Sequence, residues 1–162
     1  MFEIVLYEPE IPANTGNIGR TCAATGCGLH LIEPLGFHLT DKLIKRSGMD
    51  YWERLSVSRY IDYSDFRNAH PGAKIHYITT KAPRAYSETT FCPGDFLMFG
   101  KESGGIPEKI LREHYDDCLR IPMLPDTRSL NLANAVAIVL YEALRQNSFD
   151  GLEQEGRLSR PL

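Results

Sequence analysis

The sequence predicts an α/β domain built on a largely parallel sheet, and three observations carry that prediction. Short β-rich apolar runs alternate along the chain with helix-like segments. Glycine, proline and short polar residues punctuate the junctions between them. The 162 residues, 43% of them hydrophobic and 24% charged, fit one compact domain with a real core.

The elements follow in order. Phe2–Tyr7 reads as the first strand. The turn residues Pro12-Ala13-Asn14-Thr15-Gly16 lead into a helix over Asn17–Thr25, which stops at Gly26, a residue suited to the left-handed position after a helix. Leu29–Ile32 is the second strand. Asp41 can cap a helix over Asp41–Ser47 that ends before Gly48, and a further helix, Ser64–His70, is closed by Pro71-Gly72. Strands are expected at Ile75–Thr79, Phe96–Phe99 and Cys118–Ile121. Between the last two, Pro107–His114 carries proline where a first helical turn tolerates it.

The final helix has the clearest pattern. Leu132, Ala135, Val136, Val139, Leu140, Ala143 and Leu144 recur at helical spacing, yet the other side offers Ala133, Ala137, Ile138 and Tyr141. Such a helix is covered on more than one side, by its own core or by a second subunit. A homodimer using this helix is the expectation, with full burial inside one chain as the alternative. No repeat, low-complexity tract or interdomain linker interrupts the chain. The expected division is one domain over 1–150 and a flexible tail over 151–162.

Composition excludes several classes. No apolar run approaches the roughly 18 residues a membrane-spanning helix needs. The opening residues lack the basic start and cleavage site of a secretory signal, so a cytoplasmic protein is expected. Cys22, Cys27, Cys92 and Cys118 form neither a CxxC pair nor a Cys/His cluster, which fits reduced thiols better than disulfides or zinc. No metal is called for. A formal charge of −3 and a pI near 5.9 do not advertise nucleic-acid binding. Lys42, Lys45, Arg46, Arg54 and Arg59 nevertheless crowd one stretch against Asp41, Asp50 and Glu53. That stretch reads either as a local basic face or as ordinary solvated surface.

Three segments carry chemical signal, each loop-like at the end of an expected strand. The first runs from Glu8 to Arg20. A loop entering a helix offers backbone N–H groups to an anion, and Arg20 could fork onto a phosphate. The plainer reading is capping by Asn14 or Thr15 and a surface Arg20. The second, Leu97 to Pro107, includes Gly100-Lys101-Glu102-Ser103-Gly104-Gly105. It is not a phosphate-binding P-loop, because Gly94 stands one residue too far from Gly100 and Glu102 takes the Ser/Thr position. GxGxxG is absent, so a dinucleotide site has no support. The glycines allow close approach of backbone to a ligand, or simply a tight turn. The third, Leu119 to Ala135, is stiffened by Pro122 and Pro125, and Ser129 or Asn131 can cap the long helix. Its backbone could hold an adenine edge and a thioether.

Together, Asn-Thr-Gly-Asn-Ile-Gly-Arg, Met-Phe-Gly-Lys-Glu-Ser-Gly-Gly-Ile-Pro and Ile-Pro-Met-Leu-Pro-Asp-Thr-Arg-Ser-Leu-Asn-Leu-Ala-Asn-Ala-Val resemble the three motifs of the SPOUT RNA methyltransferases. The likeness covers roughly residues 2–146. It is strongest to the short members that 2′-O-methylate cytidine or uridine at the tRNA wobble position, whose openings resemble Ile-Val-Leu-Tyr-Glu-Pro-Glu-Ile-Pro here. The resemblance implies a C-terminal trefoil knot, which general topology rules disfavour. It also implies a homodimer and S-adenosylmethionine as cofactor, released as S-adenosylhomocysteine. By motif position the cofactor residues would be Ile78, Thr79, Gly100, Glu102, Ile121, Met123, Ser129 and Leu130, with Asn131 close by. Asn14, Arg20, Ser129 and Asn131 would carry catalysis. Arg20, Lys42, Arg46 and Tyr141 would meet the substrate, the anticodon stem-loop of tRNA, with leucine tRNAs the expected acceptors. The alternative substrate is another tRNA position or rRNA.

The chemistry needs little beyond alignment, since a sulfonium methyl is already electrophilic. A guanidinium stays protonated in water and is a poor base. Arg20 is therefore expected to stabilise the developing alkoxide or clamp a phosphate, while the proton leaves through a phosphate oxygen, a water or, transiently, Arg20.

Overall fold

The computed structural model describes residues 1–38 and 55–158. Seven strands form one sheet among the described residues: β1 (Glu3–Tyr7), β2 (Gly28–Ile32), β3 (Val57–Tyr60), β4 (Ile75–Ile78), β5 (Arg84–Ala85), β6 (Phe96–Phe99) and β7 (Cys118–Arg120). Their order is β3-β2-β1-β6-β4-β7-β5, and every pairing is parallel. The five expected strands are all present. β3 and β5 are additions: Val57-Ser58-Arg59-Tyr60 is too polar, and Arg84-Ala85 too short, to stand out as apolar runs.

Helices cover both faces: α1 (Pro12–Thr25), α2 (Tyr63–Ala69), α3 (Glu108–Glu113) and α4 (Leu132–Gln146). The alternation of strand side chains separates two cores. Ile4, Leu6, Leu97 and Phe99 face Ile18 and Cys22 of α1 and Val136, Val139 and Leu140 of α4. Val5, Met98 and Tyr77 face Phe66 of α2 and Ile110 and Leu111 of α3. Each large aliphatic side chain buried this way contributes about 1.5–3 kcal/mol. Leu152, assigned by sequence to the tail, and Phe149 also pack against the α1/α4 core. The four thiols are free, three of them buried.

Three helices differ in extent from the sequence reading, α3 only in that Pro107 and His114 are its caps and not its ends. α1 starts at Pro12 rather than Asn17, so Asn14 and Thr15 are buried in its first turns and do not cap it. α2 starts at Tyr63, one residue early, because Asp62 caps it by accepting from Asp65 N. At the other end of α1, Gly26 has φ 69°, the left-handed conformation expected of it. The helix expected over Asp41–Ser47 lies outside the described residues.

α4 is less uniformly covered than its composition suggests. Its inner face is fully buried, whereas Ile138 and Tyr141 are 37% and 48% exposed. No helix among the described residues is long and apolar enough to cross a membrane.

Candidate active site

The strand order makes neighbours of segments far apart in sequence. β6 lies between β1 and β4, and β7 beside β4, so the loops leaving β1, β4, β6 and β7 emerge together at the carboxyl edge of the sheet. Crevices at this edge are where parallel α/β sheets bind ligands. A cavity of about 420 Å³ opens there, within the roughly 300–1,000 Å³ typical of small-molecule sites. Ile78 and Thr79 line it from the end of β4, Gly100 and Glu102 from the loop after β6, and Ile121, Met123, Ser129 and Leu130 from the segment after β7. Asn14 enters from α1 and Asn131 from the head of α4.

One hydrogen-bonded chain ties the three loops together. Asn131 caps α4, its Oδ1 accepting from Ala133 N at 2.9 Å and Asn134 N at 3.3 Å. Its Nδ2 donates to Asn14 Oδ1 at 3.0 Å, and Asn14 Nδ2 donates to Glu102 Oε1 at 2.8 Å. Glu102 also accepts from the backbone N–H of Glu10 (2.8 Å) and of Ile11 (3.3 Å). A carboxylate from a distant loop thus sits at the amino end of α1, where the helix dipole favours it. It takes the place of the local side-chain cap that Ile11, in the cap position, cannot supply.

The loop after β6 is held to the β1–α1 segment by two further contacts. Glu10 accepts from both the N–H and the hydroxyl of Ser103, each at 2.8 Å. These hydrogen bonds hold its carboxyl below the usual carboxylate range. Lys101 Nζ donates to Glu8 at 2.8 Å, and that bond raises the lysine's pKa. The loop doubles back tightly, with Gly105 N donating to Lys101 O at 2.8 Å. A Cβ on Gly100 would stand 2.1 Å from the carbonyl carbon of Gly105, so only glycine fits.

Arg20 and Tyr141 do not line this cavity. Arg20 lies exposed on α1, and Tyr141 on the open face of α4. Lys42 and Arg46 fall outside the described residues. Glu8, Glu10, Lys101 and Ser103 were read only as parts of their loops. The sequence signal that could have found them is the opposite charge of Glu8 and Lys101 and the acceptor–donor match of Glu10 and Ser103, on segments that already read as loops.

The three loops that enclose this cavity are the three segments that resemble the motifs of the SPOUT RNA methyltransferases. The model of the SpoU rRNA Methylase family matches residues 1–141, and the chain belongs to that family. Among its relatives is the tRNA (cytidine(34)-2′-O)-methyltransferase of Escherichia coli (strain K12), 50% identical over 93% of this chain and 97% of that protein. A solved structure described as "Structural insights into the 2-OH methylation of C/U34 on tRNA" superposes with a TM-score of 0.86 at 44% identity, covering 92% of this chain and 97% of the other. The SpoU methyltransferase AviRb from Streptomyces viridochromogenes, solved in complex with AdoMet, superposes with a TM-score of 0.78 at 25% identity. That match covers 90% of this chain and 57% of AviRb.

Proposed function

We propose that this chain transfers the methyl group of S-adenosylmethionine to the ribose 2′-hydroxyl of nucleotide 34, cytidine or uridine, in the tRNA anticodon loop. The observation that carries the reading is the three-loop cavity joined by the Asn131–Asn14–Glu102 chain, in a protein half identical over almost its full length to an enzyme named for that reaction.

The residues present fit the cofactor. Ile78, Phe99, Ile121 and Leu132 offer apolar contact for an adenosine, and Thr79, Ser129 and backbone groups beside Gly100 offer polar partners. The absence of a side chain at Gly100 lets the turn close against its own backbone at Gly105 and Ile106, which keeps that wall of the cavity thin. When bound, the cofactor supplies an electrophilic methyl group. Asn14, Ser129 and Asn131 orient, and Arg20, together with Lys42, Arg46 and Tyr141, meets the RNA. Arg20 stabilises the developing alkoxide or clamps the adjacent phosphate, and as the methyl passes from sulfur to oxygen the hydroxyl proton leaves through a phosphate oxygen, a water or, transiently, Arg20.

Arg20 lies away from the cavity lining, and Ile138 is an exposed apolar side chain on α4. Both facts support a homodimer in which this face meets a second copy. The strand order, with β6 and β7 inserted beside strands laid down earlier, supports the knotted C-terminal path implied by the motifs. The catalytic unit is residues 1–150, with 151–162 a tail that touches it through Leu152. A tRNA substrate supports the expectation of a cytoplasmic enzyme.

Tritiated methyl transfer to bulk tRNA from a strain lacking the endogenous activity, followed by nucleoside mapping, tests the reading. Label in 2′-O-methylated cytidine or uridine at position 34, expected first in leucine tRNAs, supports it. The family model's own description, an rRNA methylase, favours a second reading. Label in rRNA, or at another tRNA ribose, would establish that one instead.

A further inference from the structure

We propose that Glu10 is a positioning residue for the cofactor cavity: by clasping Ser103, it sets the shape of the glycine-rich turn that forms one wall. The proposal rests on the reading that this cavity holds S-adenosylmethionine.

Residues 100–105 form six consecutive positions of the cavity lining. Three of them are glycine, so the turn has little intrinsic rigidity. Its internal bond, Gly105 N to Lys101 O, fixes the closing of the turn but not its tilt toward the β1–α1 segment. The tilt is set by contacts that interleave. Glu8 takes Lys101 and Glu10 takes Ser103 from one side, while Glu102 reaches back to the N–H of Glu10 from the other. Of these residues Glu10 alone is bound in both directions across the seam between the two loops, giving its N–H to Glu102 and receiving two donors from Ser103.

Glu10 is itself held from behind. Gly36 N donates to Pro9 O at 2.9 Å, and a Cβ on Gly36 would stand 2.7 Å from Glu10 Cα. The loop after β2 therefore backs the clasp closely. Both hydrogen bonds from Ser103 are charge-assisted, the stronger kind, and one comes from backbone, so they hold the main chain of the turn and not only a side chain. Glu10 does not line the cavity and touches no reacting atom. Its effect on cofactor must pass through Ser103 and through Glu102.

Glu10→Gln, Ser103→Ala, the double variant and Ser103→Thr, each in the full chain, test the clasp. Calorimetric titration with S-adenosylhomocysteine and steady-state kinetics with S-adenosylmethionine read the site. Hydrogen exchange of the Ser103 amide without ligand reads the clasp itself. The expected result is a dissociation constant and a KM for cofactor raised about tenfold in Glu10→Gln, with kcat changed less than threefold and Ser103 exchange accelerated. The double variant should be no weaker than the Glu10→Gln single, and Ser103→Thr, which keeps both donors, should retain more affinity than Ser103→Ala. Unchanged affinity in Glu10→Gln, or fully additive losses in the double variant, would overturn the proposal. Wild-type protein that binds S-adenosylhomocysteine yet labels no RNA would sink the functional reading alone, because the exchange and affinity comparisons do not use RNA.

Discussion

Asn131 separates the stability of α4 from the order of the site, because its two side-chain atoms do different jobs. Oδ1 caps the helix, and Nδ2 begins the chain through Asn14 to Glu102. The direction of that chain is fixed at both ends, by backbone donors at Asn131 and a carboxylate acceptor at Glu102. Asn131→Ala removes both jobs. It loses a cap of about 1 kcal/mol and strands the oxygen of Asn14, which is only 6% exposed, at about 1–3 kcal/mol. The expected loss is about 2–4 kcal/mol. Asn131→Asp keeps the cap, and a carboxylate at a helix start gains about 0.3–1 kcal/mol from the dipole. It also sets an acceptor against Asn14 Oδ1, and Asn14 cannot turn its amide without facing Glu102 with oxygen. The aspartate variant should therefore be destabilised by about half as much as the alanine variant. Its cofactor affinity should nevertheless fall at least as far. Urea unfolding and calorimetric titration give the two numbers. An aspartate variant with wild-type affinity would refute the directional chain, and one as unstable as the alanine variant would refute the capping role.

Gly100→Ala should cost about 1–3 kcal/mol in urea unfolding as an overpacked site, and cofactor binding should fail, since the new Cβ meets only backbone. Arg20→Lys should lower kcat about 100-fold with cofactor affinity unchanged, measured by methyl transfer at saturating tRNA. Near-full turnover would rule out both roles given to its planar fork. Ile138→Glu should convert a dimer to a monomer in sedimentation velocity, and a wild-type chain that is monomeric at all concentrations would remove the dimer from the proposal. Hydrogen bonds from Arg145 and Gln146 hold the Glu142 carboxyl down to about 2. A folded pKa below the unfolded one stabilises above the unfolded value, 4.5, and that contribution is lost as pH falls toward 2. Urea midpoints of wild type and Glu142→Gln should therefore differ at pH 6 and converge near pH 2.

The sequence made the apolar elements legible and left the polar ones obscure. Phe96–Phe99 declares itself because a strand buried on both faces must be apolar throughout. Val57–Tyr60 does not, since its outer residues are half-buried or exposed. The start of α1 was misplaced for a related reason. Local rules look for a cap within the segment, and here the carboxylate comes from Glu102, about ninety residues later in the chain. The eight residues that the motif resemblance singles out all line the one cavity at the carboxyl edge of the sheet. What joins them, Asn131 to Asn14 to Glu102 and Glu10 to Ser103, depends on a strand order that no single segment encodes.

The position of β6 also bears on how the protein is made. Phe96 pairs with Glu3 on one side and Ile75 on the other, so the sheet has an open slot until residue 99 is available. During synthesis the ribosome delivers the two walls of that slot first and the strand that fills it later, at about 5–20 residues per second. For about 1–4 seconds at that rate the nascent chain presents two unpaired strand edges, the kind of surface that invites intermolecular pairing. The asparagine that heads α4 comes later still. A chain released before residue 131 therefore has neither the ring of hydrogen bonds nor the cavity it encloses, however well its first strands have formed.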